Sequence, residues 1–132
     1  MPIVDEKSFK ILIASENQTF RNNLAGKLRI DGFSVEFANS GFHLLHVIEK
    51  EIFHLILLNE NMYDMSAFEI TSLIRSTKSK QELPVIFISK DKNQENIKDM
   101  ILIGANEYIM HSPSFAPISD KAKKYFAIQQ ST

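Results

Sequence analysis

Short apolar runs alternate along this chain with longer stretches in which apolar residues recur every third or fourth position. The first run is Ile11-Leu12-Ile13-Ala14. In residues 34–38, Val35 and Phe37 alternate with Ser34 and Glu36. Leu55-Ile56-Leu57-Leu58, then Val85-Ile86-Phe87-Ile88 behind Pro84, and finally Tyr108-Ile109-Met110 complete the set. Runs of this length, apolar almost throughout, predict strands buried on both faces, as in a parallel sheet. Between them, Phe20, Leu24 and Leu28 recur at i, i+4 and i+8 ahead of Gly32, which predicts a helix and its stop. Leu44, Leu45 and Ile48 mark a second helix after Ser40-Gly41, and Ile70, Leu73 and Ile74 a third that ends near 76–80. Ile97, Met100 and Ile101 mark a fourth, with Asp91 or Asn93 as N-cap and Gly104 as stop. Ile118, Ala122, Tyr125 and Phe126 mark a fifth, with Lys121, Lys123 and Lys124 on its wet side.

Five strands alternating with five helices make a (βα)5 chain. Right-handed crossovers then give an α/β, doubly wound, five-stranded parallel sheet, for which 2-1-3-4-5 is a common strand order. One domain over residues 1–132 is expected, its core at about 10–128. In such folds ligands gather at the carboxyl ends of the strands beside the point where strand order reverses. That singles out Ser15-Glu16-Asn17, Asn59-Glu60-Asn61, Ser89-Lys90 and His111-Ser112.

Composition narrows the classes. The 132 residues include 15 Lys+Arg and 16 Asp+Glu, a formal net charge of −1, so no basic excess is available to neutralise nucleic-acid phosphates. Hydrophobic residues make up 44% and charged residues 23%, the balance of a soluble globular protein rather than a disordered one. There is no cysteine, which removes disulfides, thiolate metal sites and thiol nucleophiles together. No apolar run is long enough to cross a membrane, and the beginning of the chain lacks the basic-then-apolar order of a secretion signal, so a cytoplasmic location is expected. No Gly-rich phosphate loop and no nucleophile elbow is present.

The residues at the strand ends resemble the receiver domains of two-component response regulators, a flavodoxin/CheY-like fold. The likeness runs from about Lys10 to Phe126. ILIASEN (11–17) looks like the receiver opening, where two acidic residues follow the first strand. LILLNENMYDMSAFE (55–69) looks like the segment that carries the phosphorylated aspartate. PVIFIS (84–89) looks like the fourth strand ending in Thr or Ser, and GANEYIMHSP (104–113) like the fifth strand ending in Lys-Pro. The resemblance implies bacterial signal transduction by phosphorelay, with proteins as partners.

The departures matter as much. The acidic pair falls on Ser15 and Glu16, the phosphoacceptor on Asn59 and the lysine on His111. Only Ser89 matches its family position. An amide cannot form an acyl phosphate, and Glu16 is the one carboxylate the alignment leaves in the pocket. Glu60 should point away from it by strand alternation, and Asp64 lies in the loop. Mg²⁺ asks for hard oxygen ligands, usually with one or two carboxylates, so its binding is expected to be lost or very weak. No other metal or cofactor is expected. Tyr63, Ser66 and Ala67 replace the family's Pro, Asp and Gly in the loop. The family's cis Lys-Pro bond has either moved to 112–113 or gone, because a cis bond before a non-proline costs about 2.5–4 kcal/mol.

The expectation is a pseudo-receiver, not an enzyme: by resemblance, a degenerate phosphorylation pocket of Ser15, Glu16, Asn59, Ser89 and His111 beneath a preserved docking surface. By resemblance that surface is helix four, strand five and helix five, with Lys90, Ile97, Met100, Met110, Phe115 and Lys121 as contacts. Tyr108 occupies the family's aromatic-switch position, and a ring locked in one rotamer would fix one surface. The occupant would be a protein, a second copy of this chain being one candidate, with no direct nucleic-acid contact. The alternatives are a small-ligand sensor that uses the pocket's neutral groups, and the regulatory domain of a longer protein, its tail from Ala127 leading to an output module such as a cyclic-dinucleotide enzyme. His43, His46 and His54 invite a metal reading but lack a third ligand nearby, and surface or half-buried histidines are the simpler account. A Ser15–His111 nucleophile has no orienting acid. Met62, Tyr63 and Met65 form either a contact patch or loop packing.

Overall fold

A computed structural model describes residues 5–90 and 93–130. Five parallel strands, β1 (Lys10–Ala14), β2 (Ser34–Ala38), β3 (Leu55–Asn59), β4 (Val85–Ser89) and β5 (Glu107–Met110), form one sheet in the order β2-β1-β3-β4-β5. The helices are α1 (Gln18–Ile30), α2 (Gly41–Lys50), α3 (Ala67–Arg75), α4 (Gln94–Ile103) and α5 (Ala116–Gln130), and a single 3₁₀ turn spans Glu6–Ser8. The architecture is the one the apolar pattern predicts. α5 runs through to Gln130, so most of the expected tail is helix.

Alternation along the strands splits the core in two. Ile11, Ile13, Leu55, Leu57, Ile86 and Ile88 face α1 and α5, where Leu24, Leu28, Ile118 and Ala122 meet them. Leu12, Ala14, Ile56, Leu58, Val85 and Phe87 face α2, α3 and α4, against Leu44, Ile48, Ile70, Ile74 and Met100. Every residue of β3 and β4 is buried, which is why those segments read as unbroken apolar runs.

Side-chain oxygens start the helices. Asn17 caps α1, Ser40 caps α2, Asn93 caps α4, and Ser66 forms a capping box with Glu69 on α3. Asn93 is thus the cap of the fourth helix, and its rival Asp91 lies outside the described residues. Leu73, expected on the inner face of α3, is exposed, because α3 turns Ile70 and Ile74 inward instead.

One side chain ties the amino-terminal edge of β4 and β5 to α3. Arg75, at the end of α3, donates from Nε to the carbonyl of Gly104 at 2.8 Å, from Nη1 to that of Leu83 at 2.9 Å, and from Nη2 to Asn106 Oδ1 at 2.9 Å. Asn106 in turn receives the Val85 amide at 3.0 Å and donates to the Lys80 carbonyl at 3.1 Å. Gly104 ends α4 at φ +128°, and a Cβ there would stand 2.6 Å from Arg75 Cγ. Glycine is therefore required twice, by the dihedral and by the space.

His54, half-buried before β3, accepts the Lys10 amide at Nδ1 (2.9 Å) and stacks on Phe9 at 5.5 Å. This histidine is part of the frame. His43 and His46 are exposed on α2, and among the described residues no three metal-ligating side chains cluster.

Two predictions arise here. Arg75→Ala should destabilise the fold by about 2–4 kcal/mol in urea unfolding, because it orphans several half-buried carbonyls at once, and Arg75→Lys should recover part of that loss. Burial, helped by the nearby Lys10 charge, holds His54 below its ordinary pKa of 6.5. The unfolded state therefore takes up a proton first as pH falls. Stability should be full above about pH 6.5 and decline below it until the folded histidine also protonates. His54→Asn keeps an acceptor for the Lys10 amide and should flatten that acid limb, as read by denaturation midpoints across pH.

Candidate functional site

At the carboxyl end of the sheet, β1 and β3 deliver Ser15 and Asn59 side by side, both buried. Ser15 Oγ donates to Asn59 Oδ1 at 2.9 Å and accepts the Asn17 amide at 3.1 Å. Asn59 Nδ2 donates to the carbonyl of Ile88 on β4 at 3.1 Å. Backbone amide, hydroxyl, side-chain amide and backbone carbonyl thus form one uncharged relay across three strands. An asparagine can serve it because it offers an acceptor on one side and a donor on the other.

Above the relay lies a small polar cavity of about 190 Å³, lined by Glu16, Asn17, Asn59, Glu60, Asn61, Lys90 and His111. Glu16 leans across the mouth, where Oε2 accepts the amide of Tyr63. His111 joins the sheet edge through its own amide, which donates to the Ser89 carbonyl at 2.9 Å, and its ring lies 4.8 Å from that of Phe20. Ser89 is buried at the end of β4, and the same carbonyl also accepts the Tyr108 hydroxyl at 3.1 Å. The Tyr108 ring is half-buried beside Phe87 at 5.9 Å, turned into the α2–α4 side of the core. No peptide bond among the described residues is cis, so the bonds at 111–112 and 112–113 are both trans.

Three expectations need correction. Glu60 lines the cavity, so Glu16 is not the only carboxylate there. β3 ends at Asn59, and Glu60 adopts φ +61°, the left-handed conformation, which breaks strand alternation and lets Oε1 accept the Lys90 amide at 3.4 Å. A positive φ on glutamate has no sequence signature. Met100 is only 5% exposed, because it is the inward position of α4 and packs into the core, so it is not part of the exposed α4–β5–α5 face. Lys121 is held at 2.6 Å by Glu107 on β5, with Lys124 on the same carboxylate at 3.3 Å, rather than standing free in solvent. Burial would raise the Glu107 pKa, but Lys121, Tyr125 and Lys124 outweigh it and hold the carboxyl below its ordinary range. Of the other surface positions, Lys90 is exposed, Met110 is 44% exposed, Ile97 is half-buried, and Phe115 packs edge-on against Phe20.

The loop after β3 is fastened by roles that sequence reasoning missed. Asp64 accepts the amides of Gly41 at 2.8 Å and Phe42 at 3.0 Å, clamping the loop to the start of α2. Desolvation would raise its pKa, but these and neighbouring backbone donors prevail and lower it. Asn61 Oδ1 accepts the first amide of α3, that of Ala67, at 2.8 Å. Met62 is buried while Tyr63 is exposed, so the Met-Tyr-Met cluster divides between packing and surface.

Comparisons place this geometry. Residues 11–121 match the family model for the response regulator receiver domain. The chemotaxis protein CheY-3 of Vibrio cholerae serotype O1 is 28% identical over 127 residues, covering 96% of this chain and 98% of that one. A segment of the CAI-1 autoinducer sensor kinase/phosphatase CqsS of the same species is 28% identical over 102 residues, or 76% of this chain and 15% of that protein. Among solved structures, a CheY-like response regulator receiver domain protein from Methanospirillum hungatei JF-1 superposes with a TM-score of 0.84 at 24% identity, covering 93% of this chain and 97% of that one.

The relay makes a prediction. Asn59→Asp keeps the acceptor for Ser15 but sets a carboxylate oxygen against the Ile88 carbonyl. This should cost about 1–3 kcal/mol at pH 7 in chemical denaturation. The clash and burial raise the folded pKa of the new acid. Its cost should therefore grow as pH rises from about 4, and shrink again below that, where the neutral acid can donate to Ile88. A pH-independent cost would rule out the relay.

Proposed function

Because this chain belongs to the response regulator receiver domain family of two-component signalling, we propose that it is a pseudo-receiver, which signals through protein contacts without taking a phosphoryl group. One observation carries the reading. Asn59, at the position that resembles the family's phosphoacceptor, is an amide whose oxygen and nitrogen are both engaged, by Ser15 and by the Ile88 carbonyl. An amide offers no carboxylate oxygen to attack phosphorus, and this one is turned into the sheet rather than toward an incoming donor.

The surroundings fit the same reading. Ser15 and Glu16 together supply one carboxylate near the relay, and Glu60, though it borders the cavity, is turned toward the Lys90 amide. The groups present fit Mg²⁺ poorly. The polar oxygens of Ser15 and Asn59 are spent on each other, and His111 takes the place of a lysine that would balance an added phosphoryl charge. On this reading the chain is neither a phosphotransfer enzyme nor a metal site.

What remains is a surface. Tyr108 is held inward by its bond to the Ser89 carbonyl, in a conformation that needs no phosphoryl group to draw it in. The face formed by α4, β5 and α5 then presents Lys90, Ile97, Met110, Phe115 and the Glu107-bound Lys121 in one fixed arrangement to a protein partner in the cytoplasm. A cavity of about 190 Å³ is smaller than the 300 Å³ or more that ligand sites commonly offer, which weighs against small-molecule sensing.

Incubation with acetyl phosphate and Mg²⁺ should leave the intact mass unchanged, and the elution volume and scattering mass on a sizing column should not move. A phosphoryl adduct on any carboxylate of the pocket, Glu60 included, would overturn the reading. So would an acetyl phosphate-dependent change of oligomeric state.

A further inference from the structure

The other flank of α4 plays no part in that reading. A trough runs between α3 and α4, starting at the wall that Glu60 and Asn61 share with the cavity over Asn59. Its first stretch encloses about 460 Å³ between Glu60, Phe68, Phe87, Asp99 and Met100. A further 380 Å³ continues past Phe68 and Asp99 to Leu102 and Ile103. Phe87 and Met100 form a buried floor, while Phe68 and Leu102 stand on the rims at 46% and 74% exposed. Two large apolar side chains exposed on facing rims of one concavity mark a contact surface rather than ordinary helix exteriors.

The rim carries charge of one sign. Glu60 and Asp99 line the trough, and Glu95 stands one helical turn before Asp99 on α4. Among the described residues, none of the three has a cationic side chain within ion-pair distance. Lys90 donates its backbone amide to Glu60 at 3.4 Å and lines the neighbouring cavity, not the trough. Lys98 follows α4 about 100° round from Asp99. An apolar floor with an unbalanced acidic rim selects a segment with apolar anchors and cationic flanks.

We propose that the α3–α4 trough docks a segment of another protein that presents an aliphatic or aromatic anchor with arginine or lysine one turn away. The anchor would sit over Phe87 and Met100 between Phe68 and Leu102, and the cation beside Asp99 and Glu60. Two open volumes in line along α4, over about 10 Å from residue 96 to 103, suit a chain segment better than a compact ligand. The basic helix of a second copy is a poor occupant, because Lys121 and Lys124 are already paired with Glu107, and Lys123 lies 3.9 Å from Asp31. This surface does not depend on whether the pocket is phosphorylated. Its test reads different residues from those of the α4–β5–α5 face, so either assignment can fail alone.

The test is a titration of the ¹⁵N-labelled full chain with a short helical peptide carrying Leu and Phe at i and i+4, flanked by arginines. The control is the same peptide with glutamates for the arginines. The expected result is amide shifts centred on Phe68, Asp99 and Leu102, with binding in about the 100 μM range for the arginine peptide. Asp99→Asn and Glu60→Gln should each weaken it about three- to ten-fold, Leu102→Ala should do so with less salt dependence, and raising salt from about 0.05 to 0.5 M should weaken it further. Equal binding of the glutamate peptide would overturn the proposal. So would shifts centred on Met110 and Lys121, no shift at about 1 mM peptide, or self-association in light scattering that Asp99→Asn abolishes.

Discussion

The structure turns on how a strand buried on both faces can end in a polar residue. β3 lies in the middle of the sheet with every residue covered, so whatever stands at its last position must find its hydrogen bonds inside the protein. Asn59 does so by bridging Ser15 on one neighbouring strand and the Ile88 carbonyl on the other. A carboxylate there would need a cation or a metal to offset its burial. The amide needs neither, and the residues around it make bonds of their own to the neighbouring loops. Glu16 reaches across to the Tyr63 amide, Asn61 caps α3, and Asp64 clamps the loop to α2. These side chains are part of the framework that holds the strand ends and the loops after them together.

Much of this was legible in the residues. The five runs mark the five strands because a parallel sheet covered on both faces imposes hydrophobicity on nearly every position of its inner strands, while the edge strands β2 and β5 are only partly buried. The helices follow from three- and four-residue spacing, with Ser40 and Asn93 marking the starts of two of them. The relay residues Ser15 and Asn59 stand out because strand order brings the ends of β1 and β3 together. Other features arise only in three dimensions. Glu60 enters the cavity through a positive φ that no glutamate advertises. Met100 and Ile97 look alike in the sequence, and only the rotation of α4 over the sheet decides that Met100 fills the core. Lys121 reads as a solvated cation until Glu107, fourteen residues earlier, is seen beneath it. Arg75 carries no motif, yet its partners come from two separate loops, those before β4 and before β5.

The two faces that flank α4 differ in physical character. Toward β5 and α5 the cations are tied down in place, with Glu107 gripping Lys121, Lys124 and the Tyr125 hydroxyl, so only a small positive excess remains on that side. Toward α3 the rim is acidic and apolar, with no cation paired to it among the described residues. A helix with one quiet and one unbalanced flank can contact two different surfaces without the two competing for the same side chains.

The Arg75 knot adds a mechanical consequence. It fixes the carboxyl end of α4 through the Gly104 carbonyl, together with the starts of β4 and β5, whereas Asn93 caps the amino end of α4, where no comparable side-chain knot occurs among the described residues. Displacement of the helix is therefore a swing about a pinned heel rather than a slide. α4 is about 15 Å long, so a tilt of about 10° moves its amino end by about 2–3 Å while leaving Gly104 nearly still. The trough borders the travelling end and shares Glu60 and Asn61 with the cavity over Asn59, so such a swing would change the shape of the trough first and reach the cavity only through that common wall.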